Sequence, residues 1–356
     1  MPRYWKDYRL TDAGTRQAAL KGLVSASWFT CQVARNDMKQ LMKRTDQHAL
    51  RHLGLWLLLL AASGTAAVLT WGSWWCLPAL LVYGVLYAAS DHCAHELSHG
   101  TPFKTTWLNT AFYQLASFMT LHEAVYWRWS HARHHTDTII VGRDREIAFP
   151  RPASIRLLLL DFFYLPSGLG EIGRTVRHAF GHIAAADRSF IPATELGKVV
   201  RNSRLYLALF AALAAWCWAS ASLLPAMLVV LPRFYGGWLT QLFNMTQHTG
   251  LAEDVLDHRL NTRTMYLNPL FEFLYMKMNY HVEHHMFPMV PFHALPRLHA
   301  AIKSQSAPAY PSLWAAYRDI LPALAAQQRD PGHTLRPALP ATPSTSAGDG
   351  PAQAAA

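Results

Sequence analysis

The chain has 356 residues, of which 51% are hydrophobic and only 15% charged, with 19 histidines and a formal net charge of +10. A chain so apolar and so rich in Trp, Tyr and Phe excludes disorder over most of its length, and its charge deficit needs a cause. Cys31, Cys76, Cys93 and Cys217 lie far apart with no C-x-x-C pair, which argues against a disulfide scaffold, a zinc knuckle or an iron–sulfur cluster.

Residues 1–52 carry ten Lys and Arg, from Arg3 to Arg51, and no apolar h-region, so they read as a basic cytoplasmic segment without a secretory signal. Leu53 to Trp71 is free of charge and long enough to cross a bilayer, and a second uncharged run covers 74–90. Trp71, Trp74 and Trp75 at the link suit the headgroup layer, so the pair predicts a transmembrane hairpin. Trp107 to Tyr126 and Ile155 to Leu169 are apolar but interrupted by Asn109, Gln114, His122, Glu123, Arg156 and Asp161, which predicts interfacial or re-entrant helices. A second hairpin is predicted at 205–224 and 225–243. The basic segments flank the hairpins, and the positive-inside rule then puts both termini and the central segment in the cytoplasm.

A cytoplasmic helix is predicted at 304–328, and the Pro-, Ala- and Ser-rich stretch 329–356 reads as a disordered tail. The expected fold is therefore all-α and integral to the membrane: four spans in two hairpins, a membrane domain over 53–303, and a cytoplasmic helical cap. Buried helices of a large soluble protein do not account for the length and lack of charge of the hairpins. The positive excess, with no nucleic-acid motif, points to anionic lipid headgroups or an acidic protein partner and not to nucleic acid.

Histidines gather next to the predicted spans. After the second run comes His95-Glu-Leu-Ser-His99; the central segment holds His131-Ala-Arg-His134-His135 and the C-terminal segment His281-Val-Glu-His284-His285. In a helix, positions four apart share one face, so each box can aim imidazoles at one metal. Solvated or core histidines are the bland alternative, but eight clustered imidazoles without metal would compete for partners. Eight neutral nitrogens are too many for one ion, so two metals are expected, and Fe, Zn, Cu and Ni all suit imidazole.

This pattern of boxes after paired spans resembles the membrane-bound fatty acid desaturase and hydroxylase superfamily, over roughly Leu53 to Lys303. The resemblance implies a ninth ligand at His248, four residues after Asn244, with Asn244 acting through a bound water. The ligand set it implies is His95, His99, His131, His134, His135, His248, His281, His284 and His285. It also implies a non-haem di-iron centre that uses O2 and two external electrons to desaturate an acyl chain, or to hydroxylate an alkyl, acyl or secondary-metabolite substrate on the same scaffold.

Asp91, Glu96, Asp137 and Glu283 lie within or beside the boxes, where they are expected to bond the distal N–H of ligating imidazoles. Arg233, after Pro232 in the last predicted span, either faces the bundle and meets a polar substrate group or snorkels to an interface. His92, Cys93 and His122 are read as bystanders, and Gly142-Arg-Asp-Arg-Glu146 as a polar loop near the site mouth. His95 to His99 also satisfies H-E-x-x-H, the zinc hydrolase pattern, which leaves the other boxed histidines without purpose. No nicotinamide, flavin, iron–sulfur or cytochrome b5 signature is present, so a separate donor of ferredoxin, rubredoxin or cytochrome b5 type, with its reductase, is the expected partner.

Overall fold

In the computed structural model, which describes residues 4–24 and 27–340, the chain is helical, with no strand among the described residues beyond isolated bridges. Among the described residues, two helices are long and apolar enough to cross a membrane. The first, α1 (Asp46–Leu69), begins with Asp46 in its first turn, where a carboxylate suits the helix dipole. The same carboxylate accepts from Thr105 N at 2.9 Å and Thr105 Oγ1 at 2.6 Å, tying it to the start of a later helix. Ala49, Leu53 and Trp56 form its packed stripe, while Leu55, Leu58, Leu59 and Leu69 are exposed. Only 17% of its most apolar window is buried inside the chain, which a core helix of a soluble protein would not show.

Helix α2 (Cys76–Ala88) runs through Ala89 into α3 (Ser90–Ser98), a continuous element of 23 residues. Next come α4 (Thr106–Met119) and α5 (Ala124–Thr136), the latter capped by Glu123, whose carboxylate accepts from Val125 N and Tyr126 N. The stretch Ile155 to Leu169 divides into α6 (Ile155–Asp161) and the start of α7 (Leu165–Ala179) at Tyr164, whose φ is +52°. Leu157, Leu159, Leu160, Phe163 and Leu169 stay exposed there.

The second predicted hairpin takes a different form. Helix α8 (Leu196–Ala219) starts nine residues before the predicted span and carries Lys198, Arg201 and Arg204 in its first turns. The run 225–243 is not one helix but three: α9 (Leu224–Val229), α10 (Pro232–Gly236) and α11 (Trp238–His248). Pro232 has no N–H to continue the ladder, and Gly236-Gly237 breaks it again. Carbonyls freed at the first break find hydroxyls: Tyr83 Oη donates to Leu228 O at 2.6 Å, Tyr235 Oη to Met227 O at 2.8 Å, and Tyr87 Oη to Val229 O.

The C-terminal part adds α12 (His281–Met286) and α13 (Leu313–Arg329). Beyond it, Leu335 N donates to Gly250 O at 2.8 Å, and His333 O accepts from Gln327 Nε2 at 2.9 Å, so the predicted tail is held to the body as far as these residues. Its remainder, 341–356, lies outside the described residues.

Candidate metal centre

Four short helical segments carry the histidines. His95 projects from α3 and His99 from its C-terminal cap; His131, His134 and His135 end α5; His248 ends α11; His281, His284 and His285 fill α12. All nine meet. One group joins His95, His99, His131, His135 and His284, and a second joins His134, His248 and His285, with the ligating atoms of each group within 4.8 Å of one another. His281 adjoins the second group, its Nε2 3.2 Å from that of His248 and 3.1 Å from that of His285. The H-x-x-H-H boxes thus straddle both groups: His131 and His135 face one and His134 the other, as do His284 and His285.

The Nε2 atoms point at each other, at 2.9 Å for His95–His284 and 3.1 Å for both His99–His131 and His131–His135. Several Nδ1 atoms are committed as donors. His134 Nδ1 donates to Asp144 Oδ2 at 2.8 Å, and both oxygens of that carboxylate also accept backbone N–H groups, from Ile139 and Glu146. His248 Nδ1 donates to Asn261 O at 2.8 Å. His285 Nδ1 donates to Thr138 Oγ1 at 3.2 Å, because that hydroxyl gives its own proton to His134 O. His131 Nδ1 faces Glu146 Oε2 at 3.0 Å.

A neutral imidazole with its proton on Nδ1 has a bare lone pair on Nε2. Lone pairs converging at such distances repel unless a cation lies among them, so the donor set fits two transition-metal ions. Burial holds His131, His135, His281 and His285 well below the usual imidazole range and His284 down to about 3, the neutral form a metal requires. His134 is shifted upward: burial opposes its charge, but the Asp144 carboxylate outweighs it.

The acidic residues divide otherwise than their sequence neighbourhood predicts. Only Glu96 sits against a box imidazole, its Oε1 3.2 Å from His284 Nδ1, at an angle short of a hydrogen bond. Asp137 lies outside the histidine cluster, held by Arg133 and Arg143, because α5 ends at Thr136 and turns it away. Glu283 binds His299 Nδ1 at 2.6 Å and Thr264 Oγ1 at 2.6 Å, neither a box residue. Asp91 binds Arg233 Nη2 at 3.1 Å and Asn244 Nδ2 at 3.0 Å. The carboxylates that bond box imidazoles are Asp144 and Glu146, from the loop to which sequence reading gave no role; its one signal was two acids ten and fifteen residues after His134 and His131.

Arg233 does not snorkel: it is 4% exposed, with its guanidinium 4.1 Å from the Tyr164 ring. His92 bonds Leu274 O and Asn244, His122 bonds Tyr164, and Cys93 is buried, all apart from the two groups. A cavity of about 300 Å³ opens against His95, His134 and His248.

The sequence model of fatty acid desaturases matches residues 72–317, more than half of the chain, and the matched interval contains all nine histidines. The chain belongs to the fatty acid desaturase family. Among curated proteins it is similar to the Delta(5) fatty acid desaturase fat-4 of Caenorhabditis elegans, 23% identical over 259 residues, which cover 65% of this chain and 58% of that relative. The chain therefore spans less than two thirds of the length of the desaturase it matches. The family is one of oxidoreductases, and the histidine clusters are the metal-compatible feature of this chain. The family match starts at residue 72, after α1, and takes in α2 to α12.

Proposed function

We propose that the chain is a membrane-bound di-iron oxidoreductase that desaturates an acyl or related substrate, with four spans and both termini in the cytoplasm. The observation that carries this is the two histidine groups whose ligating nitrogens converge beside one cavity. His95, His99, His131, His135 and His284 would hold one iron, and His134, His248 and His285, with His281, the other. The bound irons supply O2 activation, so that O2, two electrons, two protons and two substrate hydrogens become an unsaturated bond and two waters. The protein's own residues fix the geometry. Asp144, Glu146, Asn261 O and Thr138 lock imidazole tautomers, while Trp127, stacked 4.8 Å from His131, fixes that ring's plane and walls the cavity.

Electrons come from a separate acidic donor. Arg35, Lys39 and Lys43 are exposed beside Arg297 and Lys303, on segments packed together through Leu41, Leu295 and Leu298, which gives such a donor a basic face. An H-E-x-x-H hydrolase needs its glutamate open to water beside the metal; Glu96 is fully buried and does not line the cavity. Purified protein should contain two irons per chain, and cells expressing it should show a product two hydrogens lighter that His284→Ala abolishes. A product one oxygen heavier would instead make it a hydroxylase, and one zinc with peptide cleavage would overturn the reading.

A further inference from the structure

One wall of the cavity beside the histidines is charged and polar. Asp91 precedes His95 by four residues and Asn244 precedes His248 by four, so each lies one helical turn, about 5.4 Å, from its histidine on the same face. The two meet there, Asn244 donating to one Asp91 oxygen and buried Arg233 to the other. Tyr164 covers the guanidinium.

Two turns further along α2 the helices touch backbone to backbone. A Cβ on Gly236 would lie 2.0 Å from the Gly84 carbonyl, and one on Gly84 would lie 2.3 Å from the Tyr235 ring. The cavity, about 300 Å³, adjoins a second of about 370 Å³ with which it shares Phe149, Asp161, Glu171 and Arg174. The rest of its wall sets Asp161, Glu171, Arg174, Gln241 and Gln247 beside Trp127, Ile139, Ile147 and Phe149. An apolar groove of about 590 Å³ exists, lined by Leu57, Leu60, Tyr83 and Leu228, but it shares no lining residue with the histidine cavity.

Methylenes laid against the charged side of the cavity wall would take water from ionic side chains and return no hydrogen bond. The guanidinium, by contrast, keeps donors in reserve: Arg233 Nε has no hydrogen-bond partner among the described residues, and its Nη1 reaches Ala88 O only at 3.4 Å. We infer that the site takes a substrate bearing a carboxylate or carbonyl oxygen that Arg233 recognises, within a few bonds of the carbon oxidised. This rests on the oxidoreductase reading above. Asp91 and Asn244 are the positioning residues, holding the guanidinium in place.

The test replaces the chromosomal copy in the source organism with His284→Ala, Arg233→Lys or Arg233→Met, under conditions where the protein is detected, and compares aqueous and lipid extracts by mass spectrometry. The expected product is His284-dependent, and its new double bond or hydroxyl lies within a few bonds of a carboxylate or carbonyl. Arg233→Met should lose it at least tenfold while purified protein keeps its metal; Arg233→Lys should raise KM more than it lowers kcat. A His284-dependent double bond in the middle of a long acyl chain overturns the inference and leaves the oxidoreductase reading standing, as does wild-type product from Arg233→Met. If Arg233→Met does not accumulate, the position of the new bond decides alone. If His284→Ala changes neither extract, the oxidoreductase reading fails and this inference with it.

Discussion

His134, His248 and His285 each donate Nδ1–H to an oxygen that has no proton to return, so their Nε2 lone pairs are fixed before any metal arrives. Removing such a partner typically weakens metal binding by about 10- to 100-fold. Asp144→Asn should lower iron per chain on that scale when the protein is dialysed against a weak chelator, with Glu146→Gln acting on His131 in the same direction. Asp137→Asn should leave iron unchanged, since Asp137 serves only Arg133 and Arg143. The nine histidines were legible because i, i+3 and i+4 spacing needs nothing beyond a helix, or, for His248, a resemblance. Their carboxylate partners were not. Asp137 is adjacent in sequence but leaves the site with the helix end, while Gly142, at φ +80°, lets the chain turn so that Asp144 returns to it.

At the level of elements, the contact between α2 and α10 depends on two glycines that no local pattern pairs. Gly236→Ala would force the helices apart at a backbone-to-backbone contact, and overpacking of this kind costs about 1–3 kcal/mol. Gly54→Ala, on an open face of α1 with nothing within 4 Å, should instead gain up to about 1 kcal/mol from helix propensity. Thermal unfolding in detergent should move in opposite directions for the two variants. The first hairpin could be read from composition because α1 from Leu53 onward and the whole of α2 carry no charge. The stretch 225–243 is apolar but broken into three helices, and its breaks are tolerated because hydroxyls of Tyr83 and Tyr87, about 140 residues away, donate to its free carbonyls. Likewise the stretch around Leu335 is polar in composition yet held by Gly250, a partner 85 residues earlier that no compositional reading can see.

For the whole molecule the four-span arrangement turns on α8. Its apolar part from Leu205 to Ala219 covers about 22 Å at 1.5 Å per residue, short of a hydrocarbon core of roughly 30 Å, so Arg201 and Arg204 would reach to the headgroups. Exposed Trp216 and Trp218 at its end match exposed Trp74 and Trp75 at the tip of the first hairpin, as two aromatic anchors at one interface would. Exposed Leu205 and Leu209 on α8, like Leu58 and Leu81 on the first hairpin, would cost free energy in water and none in lipid. In a variant with the four native cysteines replaced, Ser73→Cys and Ser220→Cys should both react with a membrane-impermeant maleimide on intact cells. Ser189→Cys, on the exposed turn after α7, should react only after lysis. Labelling at 73 without labelling at 220 would leave the first hairpin spanning alone and would place α8 along the membrane surface. Labelling of all three in intact cells would reject the proposed orientation.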